Sequence, residues 1–498
     1  MVPSDPTPTT PPPAPGSSTG SRTRRLVVLL VVLGGFRVAF PGDVSFVNDE
    51  PLLIRGAFEA NADGHLVQAG LAGTRGARYG PLPTWLYQAG LSVTTDLRWI
   101  AAARITLITV LSGLALTLLS RAIPGVIPSL GAFAFLSPYL WLYARDLWDN
   151  SFSIAWTAMV LGAYASFCRD GRLRWLSTAA LFGTFAVLTH LMTLPLVAAV
   201  ASHFAFTRWR RLLASPRFAL GVAGTALVCL AVAGPYLLTA SGSSPAGFRF
   251  LPAGGPVGFS LGGWRLFSLW GLDYFFGPWS GWGAAFPLLA LSLLSYPVGA
   301  YGVYLCLRAA DDPDAPLREM AGVLLLSLAF FVVLANGMRL REHPHYYNGM
   351  WIAFFAFWWI GMSALARHVW ARRLYAAQAG VMATALLTGV LWIHVHRGTR
   401  SLRYGPTLAN QIEIARALER LGPVELVPST ALGPRMFPHA IETLRLLERG
   451  TGAALDSVPR ASGGVQIVYA DPDGNGGEIV LVLSDSSSST IDRGGATR

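Results

Sequence analysis

The sequence contains no lysine, so all 38 of its basic residues are arginines. Charged residues of either sign make up only 13% of the 498 residues, whereas hydrophobic residues make up 53%. Length alone would allow two or three soluble domains, but repeated apolar runs approach the ~20 residues that a helix needs to cross the hydrocarbon core of a bilayer. The composition therefore indicates a polytopic membrane protein.

Acidic residues are too few to balance the arginines, and the formal net charge is +11 at pH 7. A basic excess of this size can indicate nucleic acid binding. Here, however, the arginines lie mainly in short connections between apolar runs, which is typical of topology determinants. We therefore expect membrane lipid as a partner and no nucleic acid.

Cysteine is scarce, with three residues in the whole chain. Cys168, Cys229 and Cys306 lie in or beside predicted spans and not in outward loops, so they imply no disulfide framework. We interpret them as small core residues without a redox role.

The chain divides into three regions by composition. Residues 1–23 are rich in Pro, Ser and Thr, which predicts a disordered cytoplasmic tail. Residues 24–396 form the predicted transmembrane domain, with an outer loop over 41–98, and 397–498 form a soluble extracytoplasmic domain. The first apolar run, Leu26 to Phe40, follows arginines and has no clear cleavage site, which favours a retained signal anchor over a signal peptide.

The apolar pattern predicts about eleven transmembrane helices. Because the segment around His190 is too long for one span, it is divided into two short helices. Beyond Leu26 to Phe40, the predicted spans are Trp99 to Leu119, Val126 to Tyr143, Phe152 to Phe167, Trp175 to Leu188, Met192 to Phe206, Phe218 to Leu238, Ala284 to Leu307, Met320 to Leu334, Met350 to Leu365 and Leu374 to Ile393.

Positive charge on alternate connections predicts the sidedness. One set of connections is short and rich in arginine, so the positive-inside rule makes it cytoplasmic. The outward set contains the loop over 41–98, the Arg145 turn, the Gly/Pro/Trp-rich stretch 241–282 and residues 336–348. The chain is thus expected in the inner or plasma membrane, with its N-terminus cytoplasmic.

About a hundred residues follow the last span, enough for one small domain. Helical periodicity runs from Gln411 to Leu421, and Val465 to Ala470 and Glu478 to Leu483 are predicted strands around a turn. An odd number of spans would place this α+β domain outside. The predicted fold class is therefore an all-α polytopic membrane protein with a small α+β C-terminal extracytoplasmic domain.

The first outward cluster is Asn48-Asp49-Glu50, just after the first span. Adjacent carboxylates in a partly desolvated pocket can have different proton affinities, so that one serves as a base. They could equally ligate a divalent cation or be an idle, solvated pair. Downstream, the prolines and glycine of Tyr79 to Pro83 predict a rigid entry with aromatics suited to the headgroup layer; an interfacial helix start without chemistry is the alternative.

The second cluster runs from Ser137-Pro138 through Arg145 to Asp149-Asn150. Arginine can bind phosphate with two parallel hydrogen bonds, and Asp149 could share a cation with Asp49 or orient a substrate hydroxyl. A helix-end ion pair between Arg145 and Asp149 is the alternative.

The third cluster runs from Arg339 to Tyr347 and combines cations, imidazoles and phenols. Arg341, His343, His345 and Tyr346 suit a phosphate-bearing ligand whose leaving oxygen needs stabilisation. The His-x-His spacing alone is weak evidence for zinc, which would need further ligands.

Together these clusters resemble the GT-C class of membrane glycosyltransferases, most closely the protein O-mannosyltransferase and aminoarabinose-transferase-like group. The likeness covers most of Leu26 to Ile393. It rests on the acidic motif Asp49-Glu50, the stretch Tyr79 to Pro83, the Ser-Pro…Arg…Asp pattern that ends at Asp149, and the segment His343 to Tyr347. Lysines common in relatives are absent, so any role of theirs would pass to arginine.

The resemblance implies an inverting transfer of a sugar from a polyprenyl-phosphate donor to an outer-face acceptor, which could be lipid, polysaccharide or protein. Asp49 would be the base, with Glu50 beside it, and Tyr79, Asp149 and Asn150 would contact the substrate. Arg145, Arg341, His343, His345 and Tyr346 would bind the donor phosphate. Asp49 and Asp149 could hold a divalent metal such as Mg, Mn or Zn. Alternatively, the protein uses no cofactor. A transporter or flippase of a lipid-linked substrate and a non-catalytic scaffold are the rival hypotheses.

Overall fold

The computed structural model describes residues 18–47, 49–73, 78–242, 259–272, 286–337, 344–399, 404–421, 425–428, 436–449, 464–469 and 479–484. Helices dominate these residues. In chain order they are α1 (Ser18–Val38), α2 (Glu50–Ala62), α3 (Leu82–Leu91), α4 (Leu97–Ala122), α5 (Pro138–Arg145), α6 (Phe152–Asp170), α7 (Leu173–Val187), α8 (Leu194–Ala214), α9 (Pro216–Gly242), α10 (Phe286–Ser292), α11 (Ser295–Asp311), α12 (Arg318–Gly337), α13 (Trp351–Leu365), α14 (Val369–His396), α15 (Leu408–Leu421) and α16 (Met436–Arg449).

Within the described residues, seven helical segments are long and apolar enough to cross a membrane. The chain is therefore a multi-pass membrane protein, as the composition predicted. Two further apolar helices, α7 and α13, have 15 residues each, fewer than the ~20 that span a bilayer unaided. The seven segments are Leu97–Ala122, Asp149–Asp170, Leu191–Ala214, Pro216–Leu238, Pro287–Asp311, Arg318–Gly337 and Val369–His396.

Helices α6 and α13 form the centre of the bundle. Every residue of α6 from Phe152 to Phe167 is buried, and so is every residue of α13 from Trp351 to Met362. By contrast α9 lies at the periphery, where Leu227, Leu230 and Leu238 expose more than half of their surface. A helix that is apolar all round and exposed on its outside fits lipid contact.

The predicted span Val126 to Tyr143 is wrong as a continuous helix. Residues Pro128–Leu136 form a tight 3₁₀ segment, and α5 begins separately at Pro138. The break follows from the local sequence, because the Ser137 hydroxyl caps α5 by accepting a hydrogen bond from the Leu140 amide at 3.1 Å, and proline favours the first position of a helix. Both pieces are buried inside the bundle.

The predicted tail over residues 1–23 extends too far along the sequence, and its residues 1–17 lie outside the described part of the chain. Residues from Ser18 to Thr23 belong to the first turns of α1, since extending a helix that an apolar run has nucleated costs little per residue. The predicted division near His190 is confirmed: α7 ends at Val187, and the next long helix follows a single 3₁₀ turn at Leu191–Thr193.

Near the C-terminus three strands form one sheet. Strand β1 (Glu425–Pro428) pairs in parallel with β2 (Gly464–Tyr469), which pairs antiparallel with β3 (Ile479–Ser484). The last two match the predicted strands within one residue, whereas β1 and α16 were not predicted. Helices α15 and α16 are joined by Glu419, which contacts Arg445 at 2.6 Å and Arg449 at 2.8 Å.

The loop that follows α1 is backed by residues from the start of α15. The amides of Leu408 and Ala409 donate to the carbonyls of Val44 at 2.9 Å and Gly42 at 3.0 Å. The Ser45 hydroxyl donates to the Tyr404 carbonyl at 3.1 Å. Residues 42–45 and 404–409, which are distant in sequence, thus contact each other and support the loop that leads to Asp49.

Candidate active site

Asp49 lies at the point where α2 begins, and its carboxylate points away from its own helix. It makes no side-chain cap on α2. Instead its Oδ2 accepts a hydrogen bond from the Trp148 indole Nε1 at 3.1 Å. Partial burial raises the pKa of Asp49, and the Trp148 N–H opposes this shift because it stabilises the charged form. The first and second clusters are therefore in contact through Asp49 and Trp148, and the Asp49 carboxylate is half-buried.

Glu50 faces the interior and is only 1% exposed. Its Oε2 accepts a hydrogen bond from the Val47 amide at 3.3 Å. Burial raises the pKa of Asp146 well above its usual value, and the charge of nearby Glu50 raises it further. Arg104 and Arg145 oppose this shift. These groups form a buried cluster of ionisable side chains. The catalytic role predicted for Glu50 stays a prediction, and its enclosure favours a supporting role.

Arg104 was missed by the sequence analysis. It comes from the second turn of α4, is 4% exposed and donates from Nη1 to the Arg145 carbonyl at 2.9 Å. Its guanidinium lies 4.9 Å from the centre of the Phe152 ring. A single charge within an apolar span is costly and is usually retained for a purpose, so this signal was present in the sequence.

Asp149 and Asn150 form a 3₁₀ turn just before α6. The Asp149 Oδ1 accepts a hydrogen bond from the Asn150 amide at 2.6 Å. The Asn150 side chain is fully buried; its Nδ2 donates to the His345 carbonyl at 2.9 Å, and its Oδ1 accepts from the Ser153 hydroxyl at 2.9 Å. Asn150 therefore ties the second cluster to the third. Its predicted substrate contact stays a prediction, and these bonds favour a tethering role.

Aromatic rings line the space between the clusters. Tyr79 stacks on His190 with 4.6 Å between ring centroids, and His345 meets Trp148 edge-on at 4.7 Å. Tyr346 lies 6.4 Å from His190. Burial raises the pKa of Tyr79, and its interactions with the acidic groups of Asp149, Tyr346 and Asp49 raise it further. The Tyr79 phenol therefore lies among the groups predicted to contact substrate, and it stays protonated.

His190 was used in the sequence analysis only to divide two helices, and its place in the site was missed. It is 3% exposed, and burial lowers its pKa to about 3, so its ring is neutral. Nδ1 accepts a hydrogen bond from the Met192 amide at 3.2 Å. The proton of the neutral ring must then lie on Nε2, which makes His190 a hydrogen-bond donor.

Two glycines allow the loops of the site to pack against each other. A Cβ on Gly80 would lie 2.2 Å from the Leu188 carbonyl oxygen, and one on Gly349 would lie 2.4 Å from the Met192 carbonyl oxygen. Backbone at such distances cannot yield to a methyl group without moving a loop. Residues 78–83, 188–193 and 344–349 are thus brought together by close backbone contact.

Gly80→Ala is therefore expected to displace the Tyr79 loop from its contact with His190. We expect the variant to lose most site function while the helix bundle remains folded, since α3 begins only after Pro81. Ligand binding or turnover, together with the apparent melting temperature in detergent, would measure this. Gly56→Ala is the matched control, because a Cβ at Gly56 meets nothing within 4 Å. Wild-type behaviour of Gly80→Ala would contradict the packing described here.

Arg145 is enclosed and its hydrogen bonds go to main-chain carbonyls. Nη1 donates to Arg37 at 2.7 Å and to Ala39 at 2.5 Å, and Nη2 donates to Phe40 at 2.5 Å and to Asp43 at 3.1 Å. The carbonyls belong to the chain leaving α1, where Phe40 has a φ of 55°, a region rarely adopted by bulky residues. The predicted phosphate contact of Arg145 stays a prediction, and this geometry favours a structural clamp. The alternative ion pair with Asp149 does not form.

Part of the third cluster lies outside the described residues, namely Arg339 to His343, as does Asn48. The phosphate-binding roles predicted for Arg341 and His343 therefore fall outside the described residues and stay predictions. The described remainder, Pro344–Gly349, forms a 3₁₀ turn before α13. His345 and Tyr346 of this turn are partly buried and face the aromatic lining, whereas Tyr347 is buried against Phe331 with 5.7 Å between ring centroids.

The described residues do not bring together enough side chains for a metal site. Among them, no three His, Cys, Asp or Glu side chains come close enough together to hold a metal ion. Asp49 and Asp149 alone supply fewer protein ligands than structural or catalytic zinc sites use. The three cysteines are free, as predicted.

Comparison with known proteins gives a limited likeness. No family model and no curated protein matches the chain. Among solved structures, ArnT from Cupriavidus metallidurans bound to undecaprenyl phosphate is 15% identical, covers 92% of this chain and 94% of its own, and has a TM-score of 0.49. The apo structure of that protein is 17% identical over the same shares, with a TM-score of 0.43. Similarity at this level transfers no residue role or activity to this chain.

Proposed function

We propose that this protein is a membrane glycosyltransferase that moves a sugar from a polyprenyl-phosphate donor to an acceptor at the membrane face where Asp49 lies. The observation that carries the proposal is the half-buried Asp49 carboxylate, which accepts a hydrogen bond from Trp148, while the Trp148 ring in turn meets His345 edge-on. A carboxylate whose pKa is raised by burial is a stronger base than a solvated one. The donor class comes from the motif resemblance.

In the proposed reaction Asp49 accepts the proton of the acceptor hydroxyl as the hydroxyl oxygen attacks the anomeric carbon. The bond from that carbon to the donor phosphate oxygen breaks, and its electron pair leaves with the phosphate. A single displacement inverts the anomeric centre. The sugar carries oxocarbenium character in the transition state, as in other glycosyl transfers.

The surrounding residues would orient the sugar and the leaving group. The rings of Tyr79, Trp148 and His345 offer apolar faces with polar edges, which suits a pyranose. The neutral His190 can donate one hydrogen bond to a substrate oxygen. Tyr346, Arg341 and His343 are the candidates for the leaving phosphate, the last two by sequence resemblance alone.

Transfer can be tested directly with the purified full chain in detergent. A panel of radiolabelled polyprenyl-phosphate sugars would be incubated with membrane extract as acceptor, with and without a chelator. Movement of label into an acceptor or water would support the enzyme and identify its sugar, and chelator sensitivity would add a metal. No transfer across a broad panel by folded protein would contradict the proposal and favour a transporter or a scaffold.

The pH dependence of transfer should follow the titration of Asp49. Asp49 loses its proton and becomes a base as the pH rises through its raised pKa. The midpoint of the acidic limb of the pH–rate profile should therefore lie above the ordinary Asp value of 3.8. Trp148→Phe removes a hydrogen bond that favours the charged form, so the limb should move to still higher pH. Trp85→Phe is the control, because its indole donates to the Val67 carbonyl at 2.6 Å and contacts no site carboxylate. A limb unchanged by Trp148→Phe would exclude Asp49 as the titrating base.

A further inference from the structure

A cavity lies at the far end of the bundle from the acidic site. Its volume is about 620 Å³, and it is lined by the last turns of α4 and by the turn between α6 and α7. Arg104 marks the acidic end of α4, and Arg121 lies seventeen residues later in the same helix, or roughly 25 Å along it at 1.5 Å per residue. The two sites therefore lie near opposite membrane faces.

Arginines converge on this cavity from separate parts of the chain. Arg121 comes from the end of α4, and Arg169, Arg172 and Arg174 come from the α6–α7 turn. Arg169 is paired with Asp170 at 2.6 Å. In the part of the chain that the structure describes, Arg121, Arg172 and Arg174 form no salt bridge, so the cavity rim carries an uncompensated positive charge.

The wall beneath the arginines is apolar. Leu118 and Leu114 lie about one and two turns further into α4 from Arg121, and Leu114 is 46% exposed. Seven helical residues separate Leu114 from Arg121, which corresponds to roughly 10 Å of depth. Trp175 lies at the rim, with the Arg174 guanidinium 5.0 Å from its ring centre, a placement typical of the membrane interface.

We propose that this cavity binds an anionic phospholipid, with the phosphate of the headgroup between Arg121, Arg172 and Arg174 and an acyl chain along Leu118 and Leu114. Arginines that only fix topology need no cavity and no apolar wall below them. A free phosphate would use the rim alone, whereas a lipid uses both the charged rim and the apolar wall. Basic pockets between transmembrane helices are suited to such headgroups.

The test is binding of radiolabelled dioleoylphosphatidylglycerol to the purified full chain in neutral mixed micelles. The triple variant Arg121→Gln, Arg172→Gln, Arg174→Gln should raise the dissociation constant on the order of a hundredfold, given the contribution of each arginine near an anionic lipid surface. Dioleoylphosphatidylcholine should bind weakly to both proteins. All three arginines are exposed, so the variant should keep the wild-type gel-filtration profile and melting temperature.

The matched control removes three exposed arginines from another connection, Arg367→Gln, Arg372→Gln, Arg373→Gln, and should change binding less than about threefold. Leu114→Trp fills the apolar wall and should weaken lipid binding while the rim stays intact. Equal loss in both triple variants would overturn the proposal in favour of general surface charge. Unchanged binding in Leu114→Trp, with displacement of the lipid by glycerol 3-phosphate, would overturn it in favour of a free-anion site.

Discussion

Asp49→Asn is expected to lower the rate of sugar transfer by about 10²- to 10⁴-fold, the usual contribution of a general base. The amide keeps the size of the side chain and can still accept a hydrogen bond from Trp148, which lies 3.1 Å away. It cannot accept the acceptor's proton at any working pH. Donor binding should therefore change little while turnover falls, which a comparison of kcat with KM would reveal.

Asp63→Asn is the control for this variant, because Asp63 is an exposed carboxylate at the other end of the same helix. It should transfer sugar at the wild-type rate. If Asp49→Asn kept near-normal turnover with a wild-type gel-filtration profile, Asp49 would not be the base, and Asp149 would become the next candidate. The melting temperature, measured in parallel, distinguishes a loss of folding from this result.

Arg145→Met should destabilise the fold strongly. The change removes four donor contacts to the carbonyls of Arg37, Ala39, Phe40 and Asp43 and leaves these acceptors without their cationic partner. Leaving a buried hydrogen-bond acceptor unpaired costs about 1–3 kcal/mol, and four carbonyls lose their donor here. The apparent melting temperature in detergent should fall by many degrees, and proteolysis within the loop after α1 should accelerate.

This measurement also separates the two roles considered for Arg145. A phosphate-binding arginine could be replaced with loss of transfer and little loss of stability, whereas a clamp would lose stability first. Arg372→Met, at an exposed position near the start of α14, should leave the melting temperature unchanged. A stable but inactive Arg145→Met would therefore favour the role that the sequence predicted.

The sequence allowed the general location of the site to be predicted because order and sidedness are one-dimensional properties. Asp49, Tyr79 and Asp149 each follow or precede an apolar run at the same membrane face, so counting spans brings them together. The count itself was less accurate. A run that is apolar but contains Pro128 and Pro138 was read as one span, although proline starts a new helix there.

Hydrogen-bond partners were beyond what the sequence could provide. Arg145 was visible as a charge at a turn, but the carbonyls that it contacts belong to residues more than a hundred positions earlier. The Trp148 contact with Asp49 likewise joins two loops through side chains that have no shared motif. His190 had no recognisable pattern around it, since its role depends on a stacking contact with Tyr79.

The support of the loop after α1 by the start of α15 has a consequence for the order of biosynthesis. Ser45 and its partner Tyr404 are 359 residues apart, and at 5–20 residues per second a ribosome needs roughly 20 to 70 s to make that length. During this interval the loop that carries Asp49 has been made, but it lacks the hydrogen bonds that Tyr404, Leu408 and Ala409 later provide. The acidic motif therefore reaches its final geometry only late in synthesis, after nearly all membrane helices have been made.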